Sequence, residues 1–147
     1  MKSKNRKVAS RKPRFPGFKT VGIIGLGKMG HNMALNLLDH KYKVVAHNRS
    51  PEPVKKIARK GAIPAFTLQE LTTQLNSPRI IIMMVTAGKP IDSVLKQLLP
   101  SLNKGDIIVD GGNNYYKDSI RRYKQAKKLG VSYIDMGTSG EIGRAHV

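Results

Sequence analysis

The feature that most constrains this chain is an alternation. From Thr20 onward, short apolar runs rich in β-branched residues take turns with segments whose apolar residues recur at helical spacing. TVGIIG, KVVAH, IPAF, RIIIMMV, DIIVDGG and VSYIDMG read as six strands. Between them, Met29, Met33 and Leu37 with Ala34 and Leu38 mark a first inward helical row, and Val54, Ile57 and Ala58 mark a second that stops at Gly61. Thr67 and Glu70 form a T-x-x-E capping box ahead of Leu68, Leu71 and Leu75. Pro90 opens a helix bearing Ile91, Val94, Leu95 and Leu98, and SIRRYKQAKKLG is a basic helix ending at Gly130. Pro64 puts the third strand at an edge, because it cannot donate to a ladder. No hairpin signal separates the strands, so each must be reached by a crossover and all should run parallel. The expected fold class is α/β, a single-domain, doubly wound parallel sheet in three layers.

In such a sheet ligands bind beyond the carboxyl ends of the strands, so chemistry is expected in GLGKMG, NRSP, TAGKP, GGNNYY and GTSG. The loops at the other edge, including DHKYK, NSP and LNKGD, read as ordinary charged or prolyl turns. Gly25-Leu26-Gly27-Lys28-Met29-Gly30 is a G-x-G-x-x-G that follows a strand directly and opens a helix. There glycines permit a tight turn and bring a pyrophosphate close to helix N-terminal amides, which makes the sheet Rossmann-type. A site selecting NAD places an acid after the second strand, but this chain has Asn48-Arg49-Ser50 and no carboxylate before Glu52. Arg49 can form a bidentate pair with a 2′-phosphate while Asn48 and Ser50 supply neutral donors, so NADP is the expected cofactor. Asn113 combines donor and acceptor in one amide, which suits a hydroxyl that becomes a carbonyl. Tyr115 and Tyr116 are expected to anchor their loop to the core.

Composition removes other classes. There is no cysteine, hence no disulfide framework or thiolate chemistry, and His31, His40, His47 and His146 lack metal-ligand spacing, so no metal is expected. No apolar run is long enough for a membrane helix, and a cytoplasmic location without membrane partners is expected. The net charge of +18 is uneven: residues 1–19 hold eight Lys/Arg and no acid. That segment reads as a basic disordered leader, and the remaining charge as lysines on solvated helix faces, so no nucleic-acid partner is expected.

GLGKMGHNMALNLL, HNRSPE, MVTAGKPID, DGGNNYYKDS and GTSG, in this order, resemble the NADP-binding domain of decarboxylating 6-phosphogluconate dehydrogenases over residues 21–140. Asp110-Gly111-Gly112-Asn113 is the most specific part, since related 3-hydroxyacid dehydrogenases usually carry a serine/threonine-rich loop there. The resemblance implies oxidation of 6-phosphogluconate at C3 by NADP and decarboxylation to ribulose 5-phosphate, a step of the pentose phosphate pathway. It also implies that Asn48, Arg49 and Ser50 hold the adenosine phosphate and that Val85, Thr86 and Ala87 run past the cofactor. Asn113 would touch cofactor and substrate, and Ser139 and Gly140 would bind the sugar acid. Alternative readings are a 3-hydroxyacid (3-hydroxyisobutyrate-like) dehydrogenase domain and a stand-alone NADP- or nucleic-acid-binding module.

The domain is expected over residues 20–140. EIGRAHV, residues 141–147, is encoded by GAGATCGGAAGAGCACACGTC, which from its second base is a common sequencing adapter, so these residues are expected to be non-native. A lysine general base and a glutamate general acid are implied in a helical domain further on, where a homo-oligomer interface is also implied. The chain as written holds no expected catalytic residue and should not turn over the sugar acid.

Overall fold

The structure, a computed structural model, describes residues 19–137. In chain order it contains β1 (Thr20–Ile24), α1 (Lys28–Asp39), β2 (Lys43–His47), α2 (Pro51–Ala58), β3 (Ile63–Ala65), α3 (Leu68–Thr73) and β4 (Ile80–Met83). These are followed by α4 (Lys89–Leu98), a 3-10 turn at Leu99–Ser101, β5 (Ile107–Asp110), α5 (Tyr116–Lys127) and β6 (Ser132–Asp135). The strands form one sheet in the order β3-β2-β1-β4-β5-β6, with every neighbouring pair parallel. The expected alternation and the doubly wound α/β class hold, and β3, with Pro64, lies at an edge.

That order explains the layers. The chain winds one way from β1 to β3, then returns across the sheet to β4 and winds the other way, and right-handed crossovers put the two sets of helices on opposite faces. Ala34 of α1 and Val54 and Ile57 of α2 pack with Val21, Ile23, Val44 and Ala46 on one face. Leu71 of α3, Ile91, Leu95 and Leu98 of α4, and Ala126 of α5 pack with Ile24, Val45, Ile81, Met83 and Ile108 on the other. Adjacent residues such as Ile23 and Ile24 therefore enter different cores, as the two-residue period of a strand requires.

Three expectations change. On α1, Ala34 is buried and Met33, Leu37 and Leu38 pack against the core as expected, but Met29 is 45% exposed and Gly30 is buried in its place, because the helix approaches β1 through its glycine. Tyr115 and Tyr116 do not anchor the loop: they are 57% and 61% exposed and meet edge to face at 5.1 Å. Third, the turn expected to be an ordinary charged one holds a buried ion pair. Asp106 is fully buried and accepts from the Arg79 amide at 2.8 Å, the Arg79 guanidinium at 2.9 Å and the Asn103 amide at 2.8 Å. These bonds tie the segments entering β4 and β5.

Burial alone would raise the Asp106 carboxyl, but the amides of Arg79 and Asn103 and the Arg79 side chain together hold it below the ordinary carboxylate value. A carboxyl lowered on folding contributes stability that is complete above its unfolded pKa and disappears as pH falls through the folded one. Asp106→Asn should therefore lose stability near neutral pH and show a flatter decline than the parent chain below about pH 4. Thermal unfolding followed by circular dichroism across that range tests this, and parallel curves would refute it.

The capping box forms with one displacement. Thr67 Oγ1 accepts from the Glu70 amide at 3.0 Å, while the Glu70 carboxyl reaches one residue further back, to the Phe66 amide at 2.7 Å. The same bond thus fixes the end of β3 beside the candidate site.

Candidate functional site

The order reverses between β1 and β4, and a crevice must open there because the chain leaves the two strands toward opposite sides. A cleft of about 760 Å³ lies at that point. Its lining brings together Gly25 and Gly27 from the first turn, Asn48, Arg49 and Ser50 after β2, and Val85 and Thr86 after β4. These were the residues expected to share a site, and they come from three separate loops. Leu26 is buried in the core, Met29 and Ala87 are exposed outside the cleft lining, and Lys28 faces a second groove shared with His31, Lys56 and Arg59. Asn113 is exposed on the neighbouring loop after β5. Ser139, Gly140 and residues 141–147 lie outside the described residues, as does most of the basic leader.

The three glycines have different reasons. Gly25 has φ +99°, and a Cβ there would overlap the carbonyl oxygen of Met84 and stand 2.7 Å from its carbon. A Cβ on Gly30 would overlap the carbonyl oxygen of Gly25 and stand 3.0 Å from its carbon. Both are glycine so that β1, α1 and β4 can approach one another. Gly27 is different: a Cβ there would meet nothing within 4 Å. The protein's own packing does not ask for a glycine at 27, yet its smallness leaves open space at the start of α1.

Gly27 is the N-cap of α1, with no side-chain cap and no acid in the first turn. The helix start thus keeps backbone donors and its positive dipole end pointed into that space, which is the arrangement an anionic group needs. Arg49 and Lys89 add cations, and no Asp or Glu lines the cleft. Glycines, helix terminus and cations together fit a pyrophosphate-containing dinucleotide.

Some contacts here were not readable from the sequence. The Asn48 side chain accepts from the Leu26 amide at 2.8 Å and donates to the Ser50 carbonyl at 3.2 Å. It joins the glycine turn to the loop after β2. His47 contacts the Ala65 carbonyl through Nδ1 at 2.9 Å, and Phe66, 44% exposed, lines the cleft. Lys89 was missed as a lining cation, although its position at a proline-marked helix start was the available signal.

A buried polar network supports the loop after β5. Asp110 is fully buried and accepts from the Gly112 amide at 2.9 Å, from Asn114 Nδ2 at 2.9 Å and from the Tyr133 hydroxyl. Burial, then the bond to Asp110, pushes the Tyr133 phenol far above its ordinary range, so it stays a donor. Arg122 is also fully buried, a departure from the expected solvated basic helix. It donates to Asp92 at 2.8 Å, to Asn114 Oδ1 at 3.2 Å and to the Gly88 carbonyl at 3.2 Å. Its hydrogen bond to Asp92 is the leading reason that carboxyl lies below its ordinary value.

A parallel sheet in this order, with a glycine turn and a helix N-terminus at the reversal, defines a Rossmann-type nicotinamide-dinucleotide-binding domain. Among such domains, this chain belongs to the family described as the NAD binding domain of 6-phosphogluconate dehydrogenase, whose family model matches residues 20–146. It is 46% identical over 125 residues to the decarboxylating 6-phosphogluconate dehydrogenase of Chlamydia trachomatis, covering 82% of this chain and 26% of that protein. It is 41% identical over 131 residues to the NAD(+)-dependent decarboxylating enzyme of Bacillus subtilis, covering 86% and 28%. The chain thus spans about a quarter of the length of these relatives. The Plasmodium falciparum 6-phosphogluconate dehydrogenase, solved in apo form and in complexes with NADP+ and with 6-phosphogluconate, superposes with a TM-score of 0.77. That match has 35% identity and covers 82% of this chain and 27% of the other. The 3-hydroxyisobutyrate dehydrogenase of Mycobacterium tuberculosis shares the fold, with a TM-score of 0.76 at 21% identity over 82% of this chain and 40% of its own.

Among the described residues, no helix is long and apolar enough to cross a membrane, and no group of three His, Cys, Asp or Glu is placed to hold a metal ion.

Proposed function

We propose that the cleft between β1 and β4 binds NADP in preference to NAD, and that the whole protein oxidises and decarboxylates 6-phosphogluconate. The carrying observation is the acid-free lining around Arg49, which makes no ion pair with any described residue. A 2′-phosphate offers Arg49 a dianionic, bidentate partner, whereas a bare ribose hydroxyl offers it one weak acceptor. Gly27 and the α1 amides would receive the pyrophosphate, Val85 and Thr86 would run past the cofactor with Ala87 following at the rim, and Asn113 would stand where cofactor and substrate meet. A nicotinamide supplies a hydride acceptor; the chain's own residues bind, orient and exclude water around it. The general base and acid for the sugar acid belong, on this reading, to the further length that the relatives possess, with Ser139 and Gly140 contributing to the sugar acid's binding.

Relatives named as NAD(+)-dependent and as bound to NADP+ both exist, so cofactor choice is the discriminating measurement. Calorimetric titration of the chain with each dinucleotide should show tighter binding of NADP, and Arg49→Ala should remove most of the difference. Loss of the phosphate contact should cost about 2 kcal/mol, more than tenfold in affinity. Asn48→Ala should behave differently, weakening NAD and NADP alike, because Asn48 holds the glycine turn that both share. Equal affinities for the two dinucleotides in the parent chain would overturn the NADP assignment.

A further inference from the structure

Asn113 sits between two tethered neighbours. The Gly112 amide and the Asn114 side chain donate to the two oxygens of one carboxyl, Asp110, each at 2.9 Å. The loop is therefore pinned immediately before and immediately after Asn113, whose own side chain is exposed. Asn114 is held at its other end as well, where Oδ1 accepts from Arg122 Nη1 at 3.2 Å. The same guanidinium donates to the Gly88 carbonyl at 3.2 Å and to both oxygens of Asp92, at 2.8 and 3.3 Å. Gly88 caps α4, two residues after Thr86 of the cleft. One amide side chain thus links the Asn113 loop to the start of α4.

Its orientation is dictated. Nitrogen faces a carboxyl oxygen that already accepts from the Tyr133 hydroxyl, and oxygen faces a guanidinium that can only donate, so a flipped amide would set like against like at both ends. Neither Asp nor Leu can meet both demands, and Ser, though able to donate to Asp110, is too short to span the gap. The requirement for an amide at 114 is a requirement of geometry around Asn113, because Asn114 itself lies outside the cleft lining. A second contact points the same way: a Cβ on Gly112 would stand 3.1 Å from the Val85 carbonyl oxygen, so the two loops are already close and a small shift in one is felt by the other.

We infer that Asn114 is a positioning residue that sets the reach of Asn113 toward the bound dinucleotide by clamping its loop between Asp110 and Arg122. This rests on the reading of Asn113 given under Proposed function. Asn114 acts only through its neighbour, so its removal should matter only while Asn113 is present.

A double-mutant cycle separates that from a general effect on the fold. NADP affinity of the full chain would be measured by calorimetry for the parent, Asn114→Ala, Asn113→Ala and the double variant, with thermal unfolding recorded for each. Asn114→Ala should weaken NADP on the order of tenfold, and the same change made in the Asn113→Ala background should have little further effect. Asn114→Ser, which keeps a donor for Asp110, should restore part of the affinity and serves as the working variant if the alanine chain does not fold. An equal loss in both backgrounds would overturn the inference, because Asn114 would then act on the fold at large. Unchanged NADP affinity in the Asn114 variants would overturn it too. If Asn113→Ala alone binds NADP like the parent, the role given to Asn113 fails and the inference with it.

Discussion

Alanine at position 27 is expected to abolish dinucleotide binding in a chain that remains folded, whereas alanine at position 30 should damage the fold itself. Both substitutions add one methyl group to the same turn, and the difference lies in what that methyl meets. At Gly27 it meets no protein atom within 4 Å, and the backbone there is extended with φ −68°, a conformation alanine adopts without strain. The methyl would instead occupy the space through which a pyrophosphate approaches the α1 amides. We expect a loss of at least about a hundredfold in affinity for NADP and NAD, near 2.7 kcal/mol, with a melting temperature within a few degrees of the parent. At Gly30 the methyl overlaps the Gly25 carbonyl oxygen, a backbone atom that cannot swing aside, so α1 must retreat from β1. Overpacking of that kind costs roughly 1–3 kcal/mol, and binding fails as a consequence. Calorimetry and thermal unfolding of the two variants side by side decide the matter. Retention of tight binding by Gly27→Ala would show that the ligand does not approach this turn.

Arg122→Met should produce the largest loss of stability of any single change in the network. Methionine keeps much of the apolar stem but leaves the Gly88 carbonyl, Asn114 Oδ1 and one side of Asp92 without their donor. Arg121, half-exposed, still reaches Asp92 at 3.2 Å, but it cannot enter the buried space. Asp92 keeps Arg121 and is 39% exposed, so the cost comes from the buried acceptors left without a donor, about 2–3 kcal/mol, which for a domain of this size lowers the melting temperature by on the order of 10 °C. Arg122→Lys should recover only part, since a single ammonium cannot replace a fork that serves three acceptors on two segments. Denaturant unfolding of the three chains gives the comparison. A cost below about 1 kcal/mol for methionine would mean that the guanidinium is no better paired inside than in water.

How much of this was readable beforehand depends on the range of the interaction. The strands, helices and their face alternation follow from two- and 3.6-residue periods, and the glycine turn follows from its place between a strand and a helix. Those signals are local. The buried Arg122 was read as one more cation on a basic helix, although it shares an inward row with Ser119 and Ala126, small residues whose spacing left room for it. Two of its three partners lie 30 and 34 positions away, and no local period reports a pairing at that distance. Asp106 and Arg79 were hidden for the same reason. Met29 and Gly30 exchanged roles because hydrophobicity favours the methionine as the contact, while the backbone approach of α1 to Gly25 admits only a residue without a side chain. Asn48 was expected to offer its amide to a phosphate, but much of that amide is engaged by Leu26 and Ser50, a contact between two loops that only the folded chain brings together.

The two edges of the sheet are unlike, and that asymmetry limits how the sheet can grow. β3 has only three residues, and Pro64 deprives it of a donor, so it offers a poor template for another strand. β6 is longer, contains no proline and carries Ile134 at 49% exposure. Any strand added to this sheet, whether by a continuing chain or by a second copy, therefore has one favourable place to join. Two copies meeting there would pair edge to edge through the same strand, and that contact is self-complementary and closes after two. A sheet extensible at both ends could propagate into fibres; this one, among the described residues, leaves a single edge open to extension.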